Sequence, residues 1–209
     1  DTANHGTGMA GLAAYGDLTE AISTASPVDV EHRLESVRLV AAGGANPGPP
    51  SFHASLFSDA VARPEISFPK RRRVFCSAIT ASDYRDRGRP SSWSSTVDSL
   101  AANADGSGQF PRLFILSAGN TDDPAAWADY PASLSTNLVH DPGQAWNALT
   151  VGACTSKCDT QDINYTALAP SGDLSPYTTT SAAWESAWPL KPDVVVEGGN
   201  LGDNGLGPM

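Results

Sequence analysis

The most constraining feature of this sequence is the nearly unbroken apolar run RLFIL at residues 112–116. Runs of this kind are typical of strands that are covered on both faces, as in parallel sheets. Residues 73–80, 148–153 and 193–196 have a similar β-type composition, and we predict a strand in each. A further β-type run at residues 37–41 ends at a glycine pair and a proline-rich stretch, which cannot continue regular structure.

Segments with helical composition or spacing alternate with these runs. We predict helices over residues 7–15, 53–62 and 92–104, the last with a clear apolar face. Alternating helices and strands predict an α/β fold, in which crossover helices flank a parallel sheet. Residues 170–189 are rich in Ser and Thr, and we interpret them as a surface loop or an excursion from the sheet.

Length and charge restrict the classes of function. The chain has 209 residues, which is long enough for one sizeable core, so we predict a single folded domain. Its formal net charge of -10 argues against a nucleic-acid partner, which would require clustered Lys and Arg. We interpret the basic run at residues 70–73 as a solvated loop. Since no apolar run approaches the roughly 20 residues of a membrane span, we predict no membrane partner.

The cysteines do not define a compartment. An odd number at low density, Cys76, Cys154 and Cys158, does not indicate a disulfide framework. The C-x3-C pair leaves three interpretations open: plain thiols, a local disulfide, or half of a metal site without a second pair of ligands. Plain thiols are favoured, and localisation is unknown, with only a slight preference for the inside of a cell.

Two clusters carry residue types suited to catalysis. His5 lies at the mouth of the first predicted helix, beside Gly6 and Thr7, and a histidine held there suits a general base. The alternative is a capping or core histidine. Asn120 follows the most apolar predicted strand, where its side-chain amide could donate to a developing oxyanion. The alternative there is an ordinary Gly-Asn turn.

Four motifs follow one another along the chain: HGT at residues 5–7, SAGN at 117–120, NALTVGA at 147–153 and KPDVVV at 191–196. In this order they resemble the subtilisin family of serine proteases over nearly the whole chain. The resemblance implies a three-layer α/β/α fold and a serine endopeptidase that hydrolyses peptide bonds of a peptide or protein substrate. Residues 197–199, Glu-Gly-Gly, stand where many members of the family have Ala-Pro-Gly.

The resemblance also implies roles for particular residues. His5 would be the general base and acid, and Asn120 the oxyanion donor. Substrate contacts along the cleft and at the wall of the pocket for the residue before the scissile bond would come from Ile79, Thr80, Ala81, Ala118 and Gly119. The cleft strand departs from the family's usual Ser-Leu-Gly pattern. No cofactor is implied, and no residue is assigned as a metal ligand. Many relatives bind calcium, and acidic loops such as Asp122-Asp123 and residues 159–162 supply ligands in principle but lack a regular spacing, so calcium binding stays open.

Two members of the expected catalytic triad have no counterpart in the sequence. The family's aspartate lies on a strand upstream of the histidine, and its serine lies in a Gly-Thr-Ser turn downstream of the strand that corresponds to residues 191–196. We therefore expect residues 1–209 to be a partial peptidase domain, truncated before the aspartate strand and before the serine helix. Its fold would be incomplete at both ends, and this chain alone would be inactive.

Two alternatives to a peptidase stay open. One is a catalytically inactive pseudoprotease domain that binds peptides without cutting them, and the other is a non-proteolytic α/β binding module. A fold that lacks an edge strand also predicts self-association through the exposed sheet edge.

Overall fold

The computed structural model describes residues 4–25, 27–39, 52–81 and 86–209. The helices in these residues are α1 His5–Tyr15, α2 Leu18–Thr24, α3 His53–Ser67, α4 Ser92–Ala101 and α5 Pro124–Ala128, with a 3₁₀ turn at Ala132–Ser135. The strands are β1 Val74–Ser77, β2 Leu113–Ser117, β3 Leu149–Cys154, β4 Thr166–Ala167, β5 Val194–Glu197 and β6 Gly202–Asp203.

Four strands form one parallel sheet in the order β1-β2-β3-β5. Each comes from one of the apolar runs, so the predicted α/β class with a parallel sheet and flanking helices is confirmed. β4 and β6 form a separate antiparallel pair. The strand expected at residues 37–41 is wrong for residues 37–39, which are irregular, while residues 40 and 41 lie outside the described residues.

One face of the sheet packs against α3 and α4. Phe114 of β2 is fully buried, with its ring centroid 5.8 Å from that of Phe57 in α3 and 5.1 Å from that of Phe75 in β1. Aromatic rings at these separations add favourable edge and offset contacts to the burial of their apolar area. The buried cluster consists of Phe57, Val61, Trp93, Val97, Leu100, Phe114, Leu116, Ala145 and Ala148.

Local hydrogen bonds stabilise the start of α4 and the end of α3. α4 begins after Ser91, whose hydroxyl accepts a bond from the Ser94 backbone while the Ser94 hydroxyl accepts one from the Ser91 backbone, both at 2.9 Å. α3 runs further than predicted, past Pro64. Its last turn is stabilised by the Arg73 guanidinium, which donates to the carbonyls of Pro64 at 2.8 Å and Phe68 at 3.0 Å.

The basic run at residues 70–73 is not a solvated loop throughout. The Arg73 side chain is 9% exposed, and both Arg73 and Arg71 form ion pairs with Glu35 at 2.5 Å. These pairs join the irregular segment 27–39 to residues 71–73, which connect α3 to β1. The composition of the run indicated charge but not partners, because Glu35 lies far away in sequence.

A second buried arginine fastens the start of β2. The Arg112 guanidinium donates to both carboxylate oxygens of Glu65 in α3, at 2.8 and 2.7 Å, and to the Leu100 carbonyl at 3.0 Å. Bidentate pairing of this kind fixes orientation as well as distance. β2 is thereby held to α3 and to the end of α4.

The Ser/Thr-rich stretch is buried in its central part, so the surface-loop interpretation is wrong there. Ser175, Thr178 and Thr179 are between 0% and 2% exposed. Their neighbour Thr180 donates its hydroxyl to the Leu134 carbonyl at 2.6 Å. Hydroxyls that bond to backbone carbonyls can be buried at little cost, because the polar atoms keep their partners.

The other face of the sheet is open over much of its area. Val74 and Leu113 alternate with more deeply buried positions on their strands and are 60% and 45% exposed. All four residues of β5 are exposed, Val196 among them at 55%. An apolar sheet surface of this kind marks a contact site for another element or molecule. In the part of the chain that the structure describes, no helix has the length and apolarity needed to span a bilayer.

Glu197, at the end of β5, carries a carboxylate held by neighbouring donors. Its Oε2 accepts bonds from the Ser156 backbone at 2.7 Å and the Ser156 hydroxyl at 2.9 Å, and its Oε1 accepts one from the Gly199 backbone at 2.8 Å. These bonds, first the one from the Ser156 backbone, lower the pKa of Glu197 to about 2. An unfolded glutamate has a pKa of about 4.3, so the folded chain binds this proton less tightly than the unfolded chain.

We predict that Glu197→Gln makes the chain less acid-sensitive. The stabilisation from ionised Glu197 is fully present above about pH 4.3 and is lost as the pH falls toward about 2. Urea unfolding at a series of pH values should show the variant less stable near neutral pH, with a difference that shrinks on acidification. Glu31→Gln, at an exposed carboxylate in segment 27–39, is the control and should follow the wild type. A Glu197→Gln difference that is constant with pH would contradict this account.

Candidate active site

The candidate site forms where β1 and β2 end. The two strands are parallel neighbours, with Ser77 in register with Leu116, so residues 78–81 and 118–120 leave the sheet at the same edge. Functional groups of open α/β sheets collect at this carboxyl edge. The structure therefore brings the predicted cleft segment and the predicted oxyanion segment together.

The segment after β2 is fixed by backbone hydrogen bonds on both sides. The Ala118 N–H donates to the Val151 carbonyl at 2.9 Å. The Ala118 carbonyl accepts bonds from the His140 N–H at 2.8 Å and from the Thr179 hydroxyl at 2.7 Å. Because Ala118 and Gly119 are both buried, these bonds are shielded from water and hold the segment in one position.

Asn120 stands at the exposed end of this fixed segment. It forms an antiparallel bridge with Thr178, and the next N–H, that of Thr121, donates to the Tyr177 carbonyl at 2.9 Å. Asn120 itself is exposed. An exposed asparagine on an immobilised backbone is suited to stabilise developing negative charge, because little reorganisation is needed during reaction.

The side chains of the predicted cleft segment, residues 79–81, lie in different surroundings. Ile79 and Ala81 are partly buried and pack against the core, and the Ala81 N–H donates to the Asp141 carbonyl at 2.8 Å. Thr80 lies between them, and its hydroxyl oxygen is 3.2 Å from Nδ1 of His140. The side chains of this segment are therefore divided between the core and the site.

His140 is a site residue that the sequence did not reveal. It is 6% exposed and lies between Thr80 and the backbone of Gly119. Residues 138–140 are irregular or isolated bridges, so no helical or strand period marks this histidine. Its residue type and its neighbour Asp141 were the only signals available.

Asp141 ties the site to the start of α4. Its Oδ1 accepts bonds from the Ser91 hydroxyl at 2.5 Å and from Nε2 of Gln144 at 2.9 Å. Burial raises the pKa of Asp141 above its usual range, and the two hydrogen bonds oppose that shift. Since Ser91 also caps α4, the helix start and the site loop are fixed together.

His5 is not brought to this edge in the structure. It is the first residue of α1, it is exposed, and no residue of α1 is buried. α1 packs against α2. Among the hydrogen bonds and ion pairs of the described residues, none joins His5 to Asn120. The predicted role of His5 is therefore not tested by this arrangement.

A model of the subtilase family, Peptidase_S8, matches residues 1–208. The chain belongs to the subtilase family. The match covers essentially the whole chain and supports a serine peptidase in general, as the four sequence motifs predicted. No curated protein and no solved structure matches the chain.

Two of the subtilase motifs are joined by a buried charge. Lys191, whose side chain is 1% exposed, donates through Nζ to the Ala148 carbonyl at 2.9 Å and to Oδ2 of Asp193 at 2.7 Å. The same Oδ2 accepts a bond from the Thr150 N–H at 2.6 Å. Residues 191–193 (KPD) therefore bond directly to residues 147–150 (NALT), and this contact sets β5 beside β3.

The three cysteines are free thiols in this subtilase chain. Within the described ranges, no group of three or more His, Cys, Asp or Glu side chains is placed to hold a metal ion.

We predict that Gly119→Ala destabilises the site. Gly119 has φ of +101°, and a Cβ there would lie 2.3 Å from Cγ of His140. Gly172 has φ of +93°, and a Cβ there would meet nothing within 4 Å, so Gly172→Ala is a control for backbone strain alone. Strain should cost about 1–2 kcal/mol in both variants, and the clash should add about 1–3 kcal/mol at Gly119. Equal losses of urea-unfolding free energy would show that His140 does not press on Gly119.

Proposed function

We propose that this chain carries the histidine and the oxyanion-binding side of a serine endopeptidase active site, with peptides or proteins as substrates. The observation that carries the proposal is the immobilised segment 118–120, which ends in the exposed Asn120. Family membership supplies the reaction class. The segment supplies a rigid edge against which an extended peptide backbone can lie.

In the proposed reaction, a serine oxygen attacks the peptide carbonyl carbon while His5 accepts the serine proton. Asn120 donates a hydrogen bond to the oxyanion that forms. The C–N bond then breaks, and His5 gives its proton to the leaving amine. Water attacks the acyl-enzyme, gives a proton to His5, and the serine recovers that proton as the acid leaves.

The serine and the aspartate of this scheme are assigned to sequence outside residues 1–209. No Gly-Thr-Ser turn occurs within these residues. We propose that the aspartate fixes the tautomer of His5 in the longer protein. On this proposal residues 1–209 alone are inactive.

Catalysis also requires α1 to lie with its amino end at the carboxyl edge of the sheet. The open sheet face, with Val74, Leu113 and Val196 exposed, offers an apolar surface beside that edge. α1 has an apolar surface of its own, since Leu12 is 53% and Tyr15 50% exposed. Burying these surfaces against each other would supply hydrophobic stabilisation for the active arrangement. Self-association through an exposed sheet edge stays a prediction.

We predict that the protein encoded by the full reading frame hydrolyses peptide anilides, and that His5→Ala lowers kcat by about a million-fold, the loss known for the histidine of subtilisin. Asn120→Ala should lower kcat by about a hundred- to a thousand-fold with little change in KM, as known for the oxyanion asparagine of subtilisin. His32→Ala, at an exposed histidine in segment 27–39, is the matched control and should retain activity.

Three outcomes would contradict the proposal. Hydrolysis by residues 1–209 alone would place the nucleophile within these residues. Full activity of His5→Ala would remove His5 from the reaction. Peptide binding without hydrolysis by the full-length protein would favour the inactive peptide-binding alternative.

A further inference from the structure

The His140 ring is wedged between the two segments that border the candidate cleft. On one side, its Nδ1 lies 3.2 Å from the Thr80 hydroxyl oxygen. On the other side, it lies so close to the Gly119 α-carbon that a Cβ there would be 2.3 Å from Cγ and 2.5 Å from Nδ1. The ring therefore occupies the space between the cleft segment and the oxyanion segment.

The backbone of His140 is as firmly held as its ring. Its N–H donates to the Ala118 carbonyl at 2.8 Å, and its carbonyl accepts a bond from the Gly143 N–H at 2.7 Å. A ring anchored at its backbone and packed on both sides cannot swing aside without breaking these contacts. Its volume is therefore a permanent part of the site.

We propose that His140 forms the floor of the pocket for the residue before the scissile bond and restricts this pocket to small side chains. This inference rests on the proposed peptidase function and on Ala118 and Gly119 as the pocket wall. A side chain that enters between Thr80 and Gly119 meets the imidazole directly. We therefore expect small residues such as alanine to be accepted here and leucine or phenylalanine to be excluded, because the larger side chains require the volume that the ring fills.

The size restriction follows from packing and not from charge. His140 is 6% exposed, so an incoming carboxylate would have to shed its water to approach a ring that is already packed against Gly119 and hydrogen-bonded to Thr80. Exclusion of a larger side chain by a filled pocket is worth about tenfold or more in kcat/KM per misfitted group.

The test uses the full-length protein and peptide anilides that differ only in the residue before the scissile bond, which is Ala, Leu, Phe or Glu. The wild type should cleave the Ala substrate at least about tenfold better than the Phe substrate, measured as kcat/KM. His140→Ala should raise the Phe-to-Ala ratio by about tenfold or more, because it vacates the floor. His32→Ala should leave the ratio unchanged.

Three results would overturn the inference. A wild type that prefers Phe, Leu or Glu to Ala shows that His140 does not impose a small pocket, while the peptidase function stands. A Phe-to-Ala ratio of kcat/KM that is unchanged in folded His140→Ala also shows that His140 does not restrict the pocket. If His140→Ala does not fold, as judged by its circular dichroism, the wild-type preference decides alone. If no substrate is cleaved, the proposed function fails, and this inference fails with it.

Discussion

The backbone of Ala118 and Gly119 lies directly against His140, and the geometry of the candidate site depends on this contact. The Ala118 carbonyl accepts bonds from the His140 N–H and the Thr179 hydroxyl, so three separate parts of the chain meet at one buried atom. Gly119 allows the close approach because it has no side chain and adopts a positive φ. Asn120 and Thr80 take their positions from this junction.

Buried charges hold the sheet that carries the junction. Arg112 with Glu65 fastens the start of β2 to α3, and Lys191 with Asp193 fastens the start of β5 to β3. Each cation also donates to a backbone carbonyl, so its hydrogen-bonding capacity is used inside the protein. Removing Glu65 or Asp193 would leave a buried cation without its carboxylate partner, which is far more costly than loss of an exposed ion pair.

The strands of the sheet were predictable from the sequence because each coincides with an apolar run. Four runs gave the four strands of the parallel sheet, and the helices α1, α3 and α4 followed from composition and spacing. Composition misled at residues 175–181, because Ser and Thr usually face solvent but here bond to backbone N–H and carbonyl groups. It also misled at residues 70–73, since the distant Glu35 that pairs with Arg71 and Arg73 leaves no local signal.

The site was predictable only in part. The motifs indicated residues 117–120 correctly as a segment at the carboxyl edge, because the strand and the residues that follow it are contiguous in sequence. His140 carries no such pattern, and its place opposite Thr80 arises from tertiary packing alone. Conversely, His5 was recognised by its motif, yet α1 lies exposed against α2. The position of a helix relative to a sheet depends on burial of its apolar surface, which a local motif does not specify.

The most direct test of the central claim is to treat the full-length protein with a fluorophosphonate, which modifies activated serines, and to locate the adduct by mass spectrometry. The account predicts one adduct, on a serine outside residues 1–209, that is lost in His5→Ala because the histidine activates that serine. An adduct on a serine within residues 1–209, such as Ser117, would contradict it. So would equal labelling of His5→Ala, or no labelling of the wild type.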